Sequence, residues 1–80
     1  MRAEVAIGQT IQKIRKDKGW FAIDLAHQVP IARAYLSEIE HGHKAPSVSM
    51  LNDIARALQM RPAELWYAVG DTMDTVETNA

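Results

Sequence analysis

The sequence predicts an all-α fold of five short helices. Apolar residues recur at helical spacing in five separate stretches of the 80-residue chain. Glycine or proline stands near most boundaries between these stretches, and no stretch alternates apolar and polar residues as a strand does. A chain of this size forms one small domain, which buries only about 60% of its unfolded surface.

The first helix is predicted over residues 4–18. Ile7, Ile11 and Ile14 follow at intervals of four and three residues, so they share one helical face. Gly19 comes next, where a helix of this kind ends, because glycine adopts the left-handed backbone of a C-terminal cap without a steric cost. The first helix therefore offers one apolar face to the rest of the domain.

Two short helices, over residues 22–28 and 33–41, follow with a tight turn between them. The apolar residues expected to face inward or to flank the corner are Leu25, Ala26, Val29, Ile31, Leu36 and Ile39. The outward face of the second of these helices is left with Arg33, Ala34, Ser37, Glu38 and His41. Gly42 stands where the C-terminal cap is expected. Two helices joined in this way can place the second one in the DNA major groove, so we expect function on the outward face.

A fourth helix is predicted over residues 48–59, and a fifth begins at Pro62 and ends at Gly70. Ser47 precedes the fourth helix as an N-cap, and Pro62 suits the first position of the fifth. The apolar positions of these two helices are Leu51, Ile54, Ala55, Leu58, Leu65, Trp66 and Val69. Residues 71–80 are polar, acidic and rich in threonine. We therefore divide the chain into a domain of residues 1–70 and an acidic, flexible tail of residues 71–80.

Charge is divided unevenly along the chain, whose net charge is −1. Residues 1–63 hold all nine Lys and Arg against six acids, a balance of +3. Residues 64–80 hold four acids and no base, a balance of −4. The globular part is therefore mildly basic, which predicts a modest non-specific affinity for a polyanion.

Composition excludes several classes of protein. The absence of cysteine excludes a disulfide framework and a thiolate zinc site, and it fits a cytoplasmic location. The apolar stretches are too often broken by charge to span a membrane, and the N-terminal residues lack a secretory signal. No nucleotide-binding loop, cysteine nucleophile or paired acids indicate an enzyme. We expect no cofactor, and His41 and His43 lack the further ligands that a metal ion needs.

Many of these residues occur together, at fixed offsets, in one known family. They are Ile7-Gly8, Ile11, Ile14-Arg15, Lys18-Gly19, Leu25-Ala26, Val29, Ile31, Tyr35-Leu36-Ser37, Ile39-Glu40, Gly42, Pro46-Ser47, Leu51, Ile54-Ala55, Ala57-Leu58 and Leu65. On these residues, the segment from Ile7 to Trp66 resembles the Cro/repressor-type helix-turn-helix domain, also called the XRE family. The resemblance implies a five-helix, lambda-repressor-like bundle that binds double-stranded DNA.

The resemblance also implies which residues meet DNA. The positions facing base edges are Arg33, Ala34, Ser37 and Glu38, and those facing phosphate are Phe21, Ala22, His41, His43 and Lys44. Arg33 can offer a bidentate fork to guanine, and Glu38 can accept from a cytosine amino group. The alternative, that Arg33 and Glu38 are only solvated, stays open. The family also pairs residues equivalent to Arg15 and Glu40, which would tie helix 1 to the end of helix 3.

The sequence departs from the family pattern around the motif's turn. Phe21 and Ala22 stand where the family usually carries Ser or Thr and then Gln, so a helix cap and a phosphate contact are expected to be lost. Pro30 replaces the turn glycine, and Ala32 replaces a capping Ser. Because proline fixes φ near about −65°, the turn must follow a backbone path different from that of a left-handed glycine.

An apolar set near the C-terminus predicts self-association. It consists of Met60, Leu65, Trp66, Tyr67 and Val69. Dimerisation lets such domains read two half-sites about 34 Å apart. The resulting hypothesis is a homodimeric, sequence-specific regulator, a repressor, acting on an inverted repeat. The alternative is an antitoxin-like module with a protein partner, which Phe21, Ala22 and the weak basic balance favour.

Overall fold

Five helices make up the fold, which a computed structural model describes over residues 1–79, with side chains described for residues 1–74. They are α1 (Ala3–Asp17), α2 (Ala22–Gln28), α3 (Arg33–Glu40), α4 (Val48–Ala57) and α5 (Pro62–Asn79). No strand occurs within residues 1–79. The prediction of an all-α fold with five helices is confirmed, and α1, α3 and α4 each end one or two residues earlier than predicted.

The core forms around α1, which packs on both α3 and α5. Helix α2 packs on α3 and α4, and α4 packs on α5. The largest fully buried side chains are Ile11, Leu25, Leu36, Ile39, Leu51, Ile54, Leu58 and Leu65. Burying each of them contributes about 1.5–3 kcal/mol relative to leaving it in water. Helical spacing therefore identified the inward faces of α2, α3 and α4 correctly.

Gly8 allows α1 to cross closely over the end of α3. A Cβ atom built at Gly8 would lie 2.6 Å from the carbonyl oxygen of Glu40, and closer still to that of Ile39. These two atoms belong to the backbone, so they cannot turn aside as a flexible side chain would. The distance between α1 and the C-terminal end of α3 is therefore set by the missing side chain at residue 8.

The helix boundaries show which caps the sequence supplied. Gly19 and Gly42 have φ values of +77° and +75°, which confirms them as helix-ending residues. The hydroxyl of Ser47 accepts the backbone N–H of Met50 at 3.0 Å, as predicted for an N-cap. At the start of α2, Asp24 Oδ2 accepts the backbone N–H of Phe21 at 2.8 Å. This carboxylate binds back to the residue that precedes the helix, so the expected loss of capping at Phe21 is partly compensated.

The turn between α2 and α3 is closed through its backbone. The N–H of Ile31 donates to the carbonyl oxygen of Ala26 at 2.8 Å, and the Val29–Pro30 peptide bond is cis. Pro30 does not have the positive φ of the glycine that the family usually places there. The turn thus reaches the start of α3 by a different backbone path, as the sequence predicted.

Helix α5 does not end at Gly70, so that prediction is wrong. The helix continues to Asn79 because its next turn has packing partners. The hydroxyls of Thr72 and Thr10 lie 2.8 Å apart, which joins α5 to α1, and Met73 packs against the core. The predicted boundary between the domain and the tail, at residue 70, therefore does not coincide with the end of a helix. A flexible tail stays a prediction only for the residues after Asp74, of which Ala80 lies outside the described residues.

None of the helices in the described part of the chain has both the length and the apolar character needed to cross a membrane.

Candidate nucleic-acid interface

Helix α3 is held by its inner face and leaves its outer face to solvent. Leu36 and Ile39 are fully buried, which fixes the rotation of the helix. Arg33 and Ala34 are exposed at its N-terminal end. Ser37 and Glu38, predicted with them to face base edges, are half-buried. The four residues lie on consecutive turns of one helix, so the structure places them together.

An open depression of about 370 Å³ runs beside this outer face. It is lined by Gln12, Arg15, Ala22, Arg33, Ala34, Ser37, Glu40 and His41. The predicted base-facing and phosphate-facing residues are therefore partly brought together here. Gln12 was missed by the sequence reading, although it stands four residues after Gly8 and so shares the face of α1 that meets α3.

A buried ion pair braces the two helices behind this depression. Arg15 donates from Nε and Nη2 to the two carboxylate oxygens of Glu40 at 2.7 and 2.9 Å, as the family pattern predicted. It also donates from Nη1 to the carbonyl oxygen of Trp20 at 2.8 Å. The hydrogen bonds with Glu40 raise the pKa of Arg15 above its usual value. Because the folded-state pKa of Arg15 is raised, the stability that its charge contributes is complete at neutral pH and is lost as pH rises into strongly alkaline solution.

The loop after α3 carries the other predicted phosphate contacts. His41 and His43 are exposed, and their ring centroids lie 6.1 Å apart. Lys44 Nζ lies 3.6 Å from Glu38 Oε1 and 5.9 Å from the ring centre of Tyr35. An exposed pair of this length contributes little, about 0–1 kcal/mol. Lys44 can therefore leave Glu38 for a phosphate at small cost.

The start of α2 departs from the family pattern in exposure as well as in residue type. The ring of Phe21 is 76% exposed, whereas Ala22 is half-buried against the core. Together with Ile23 and Arg33 they line a second, shallow depression. The structure therefore puts an exposed aromatic ring beside the arginine at the head of α3. Ala22 has no polar group with which to contact phosphate.

Histidine, aspartate and glutamate side chains form no group of three that could hold a metal ion within the part of the chain that the structure describes.

A family model described as Helix-turn-helix matches residues 11–65. The chain belongs to the Cro/repressor-type helix-turn-helix family. The match spans α2 and α3 together with the helices that brace them, which is the part of the fold that forms the depression. The predicted family membership is confirmed.

Named relatives of this helix-turn-helix chain are regulators. It is 38% identical over 63 residues to the HTH-type transcriptional regulator SlrR of Bacillus subtilis, covering 78% of this chain and 41% of SlrR. It is 37% identical over 54 residues to the immunity repressor protein of Bacillus phage phi105, covering 68% of this chain and 38% of the repressor. The chain thus spans about two fifths of each relative, and neither is named as an enzyme.

A solved structure has the same helix-turn-helix fold over almost the whole chain. It is the clp gene regulator ClgR from Corynebacterium glutamicum, with a TM-score of 0.92 and 26% identity. The similarity covers 99% of this chain and 84% of that one. The fold class predicted from the sequence is thereby confirmed.

The self-association set predicted for this helix-turn-helix chain needs correction. Leu65 and Val69 belong to the chain's own core, so they cannot be the surface of an interface. Met60 is also packed against that core and is half-buried. Trp66 and Tyr67 are 43% and 80% exposed, and they stay available. The predicted surface is reduced to Trp66 and Tyr67 with the edge of Met60.

Proposed function

We propose that this chain is a sequence-specific DNA-binding regulator of transcription that acts in the cytoplasm as a homodimer. The observation that carries the proposal is the outer face of α3, which exposes Arg33 and Ala34 while Leu36 and Ile39 hold the helix from behind. A helix held in this way can enter the major groove with its N-terminal residues first.

The residues proposed to contact bases lie on the first two turns of α3. Arg33 has the length and the fork of donors to bind guanine O6 and N7. Glu38 can accept from a cytosine amino group once Lys44 has moved away, and Ala34 can contact a thymine methyl group. Ser37 can bond to several bases and so adds little discrimination. Arg33 is therefore the residue on which sequence preference depends most.

Phosphate contacts position the helix without reading sequence. His41, His43 and Lys44 follow α3 on one exposed loop, where they are free to meet the backbone beside a groove-bound helix. With a balance of only +3 in residues 1–63, we expect the affinity for non-specific DNA to be modest and to fall steeply with salt.

Arg33→Ala is expected to relax preference at one base pair of the selected site, by a factor equivalent to about 1–3 kcal/mol. Selection of bound sites from a random duplex pool measures this, with the parent chain expected to enrich an inverted repeat. Arg56→Ala is the matched control, because Arg56 is an exposed arginine on α4 and should leave the selected sequence unchanged. A parent chain that enriches no sequence at about 50 mM salt, where phosphate contacts are strong, would refute DNA recognition by this chain alone.

Dimerisation is proposed through Trp66 and Tyr67 of α5. Both are exposed, and aromatic residues are enriched where protein surfaces meet. Two copies would read half-sites about 34 Å apart and would repress by covering a promoter. The name of the phage relative, an immunity repressor, supports this direction of control.

Replacing Trp66 and Tyr67 by Ala is expected to make the chain monomeric at micromolar concentration and to weaken binding to the full inverted repeat more than to one half-site. Sedimentation equilibrium and half-site titration measure the two effects. Val48→Ala is the control for loss of an exposed apolar side chain elsewhere on the surface. If the α5 variant keeps the parent's oligomeric state, the interface lies on another surface.

A second candidate function is an antitoxin-like or other protein-interaction module. The exposed ring of Phe21 beside Ile23 favours it, because an apolar pair at the edge of the DNA-facing surface fits a protein better than a phosphate. Salt-sensitive, site-specific duplex binding by the purified chain would exclude protein interaction as the sole role. The two functions can coexist in one regulator.

A further inference from the structure

The neutral tautomer of His41 is fixed by a hydrogen bond to Ser37. It follows the last turn of α3 and lines the open depression beside Arg33 and Ser37. Its Nδ1 lies 2.8 Å from the carbonyl oxygen of Ser37 and 3.3 Å from the hydroxyl of the same residue. A carbonyl oxygen can only accept a hydrogen bond, so Nδ1 must carry the hydrogen.

This tautomer determines what the other ring nitrogen can do. In the neutral ring, Nε2 holds a lone pair and can only accept. A phosphate oxygen also only accepts, so neutral His41 has no hydrogen to give it. Protonation places a hydrogen on Nε2 and a positive charge on the ring, which gives a charge-assisted donor. We propose that His41 contacts a DNA phosphate only as the imidazolium, so that DNA binding takes up a proton at this residue.

This inference rests on the proposed function and deepens it by adding pH control of the same interface. The charges facing His41 from the packed helices do not supply the required anion. Arg15 of α1 and Glu40 of α3 bind each other, and Arg33 adds a positive charge to the same depression. Helix α2 contributes only the uncharged Ala22. A DNA phosphate would be the anion that balances the added proton.

The loop after α3 also supplies no free carboxylate to His41. The carboxylate of Glu38 is engaged by Lys44, and the ring of His43 stacks beside His41. His43 differs from His41 in one respect that matters: no hydrogen bond to its ring nitrogens is found among the described residues. Its neutral ring can place its hydrogen on either nitrogen, so it can donate to phosphate without a second proton. His41 is therefore the histidine whose contact depends on pH.

The sign of the effect follows from linkage. Because the complex takes up a proton at His41, affinity rises as pH falls and declines as pH rises. From about pH 6 to about pH 8, an average uptake of about a third of a proton for each His41 makes affinity decline about fivefold. A dimer with both half-sites engaged would show the square of this factor, about 25-fold.

The test measures binding of the intact chain to its selected duplex across this pH range at constant ionic strength. His41→Gln keeps a neutral side-chain donor that does not titrate, so its affinity should not vary with pH over the range. His27→Gln is the matched control, because His27 is an exposed histidine on α2 outside the depression, and it should keep the parent's pH dependence. His43→Gln should keep it as well. Calorimetry in two buffers with different ionisation heats counts the protons taken up.

The outcomes separate this inference from the function on which it rests. Site-specific binding that is the same at both ends of the pH range, or a pH dependence that persists in His41→Gln, overturns proton uptake at His41 while leaving the proposed function intact. Loss of the pH dependence in His43→Gln alone would also overturn it. A parent chain that selects no site at either pH overturns both.

Discussion

Glu40→Ala is expected to lower the free energy of unfolding by about 3–5 kcal/mol. The variant leaves the Arg15 guanidinium buried without the two hydrogen bonds, at 2.7 and 2.9 Å, that it donates to Glu40. Small domains are stable by only about 5–15 kcal/mol, so this loss takes a large part of the total. Urea unfolding followed by far-ultraviolet circular dichroism measures the change.

Two further variants decide whether the buried pair is the cause. Replacing both Arg15 and Glu40 by Met removes both charges and keeps apolar bulk, so we expect it to recover most of the stability that Glu40→Ala loses. Asp17→Ala breaks the exposed pair with Lys13, at 2.8 Å, and should cost less than about 1 kcal/mol. Equal losses for Glu40→Ala and Asp17→Ala would contradict the explanation.

Gly8→Ala is expected to destabilise the fold by about 1–3 kcal/mol, because overpacking forces backbone to move. The added Cβ would meet the carbonyl oxygens of Ile39 and Glu40, so α1 and the end of α3 would have to separate. Thermal unfolding reports the loss. The same variant should weaken DNA binding at temperatures where it remains folded, since the depression beside α3 would change shape.

Gly70→Ala provides the matched control in the same chain. Gly70 lies inside α5, and a Cβ atom there meets nothing within 4 Å. Alanine in a helix interior is favoured over glycine by about 0.5–1 kcal/mol, so this variant should be more stable than the parent. If both alanine variants changed stability in the same direction, close packing at Gly8 would not be the cause.

Much of the fold could be predicted because each helix carries its own boundary signals. Gly19, Gly42 and Ser47 take the cap conformations or bonds expected of them, since caps depend on local backbone geometry. Gly70 failed as a boundary signal because it does not adopt the positive φ of a cap and the turn after it has partners on α1 and in the core. The partner on α1, Thr10, is 62 residues away from Thr72 in sequence, so local spacing could not reveal it.

The sequence predicted which residues pair in the candidate site better than it predicted their burial and hydrogen-bonding states. The pairing of Arg15 with Glu40 followed from the family pattern and is confirmed. Leu65 and Val69 were misplaced at a surface, although their separation of four residues indicates a shared inward face. The hydrogen that Ser37 fixes on His41 depends on side-chain geometry that no residue pattern encodes.

The length of α5 has a consequence for how the molecule approaches a polyanion. All nine basic side chains precede this helix, which itself carries Glu64, Asp71 and Asp74. Helix α5 packs on α1 and α4, whereas α3, the helix that we propose enters the groove, packs on α1 and α2. The basic residues before α5 and the acidic residues on α5 give the folded chain a permanent electric dipole. A polyanion orients such a dipole before contact is made. If α3 enters the groove as proposed, repulsion of the acidic α5 from the polyanion helps to turn α3 toward DNA.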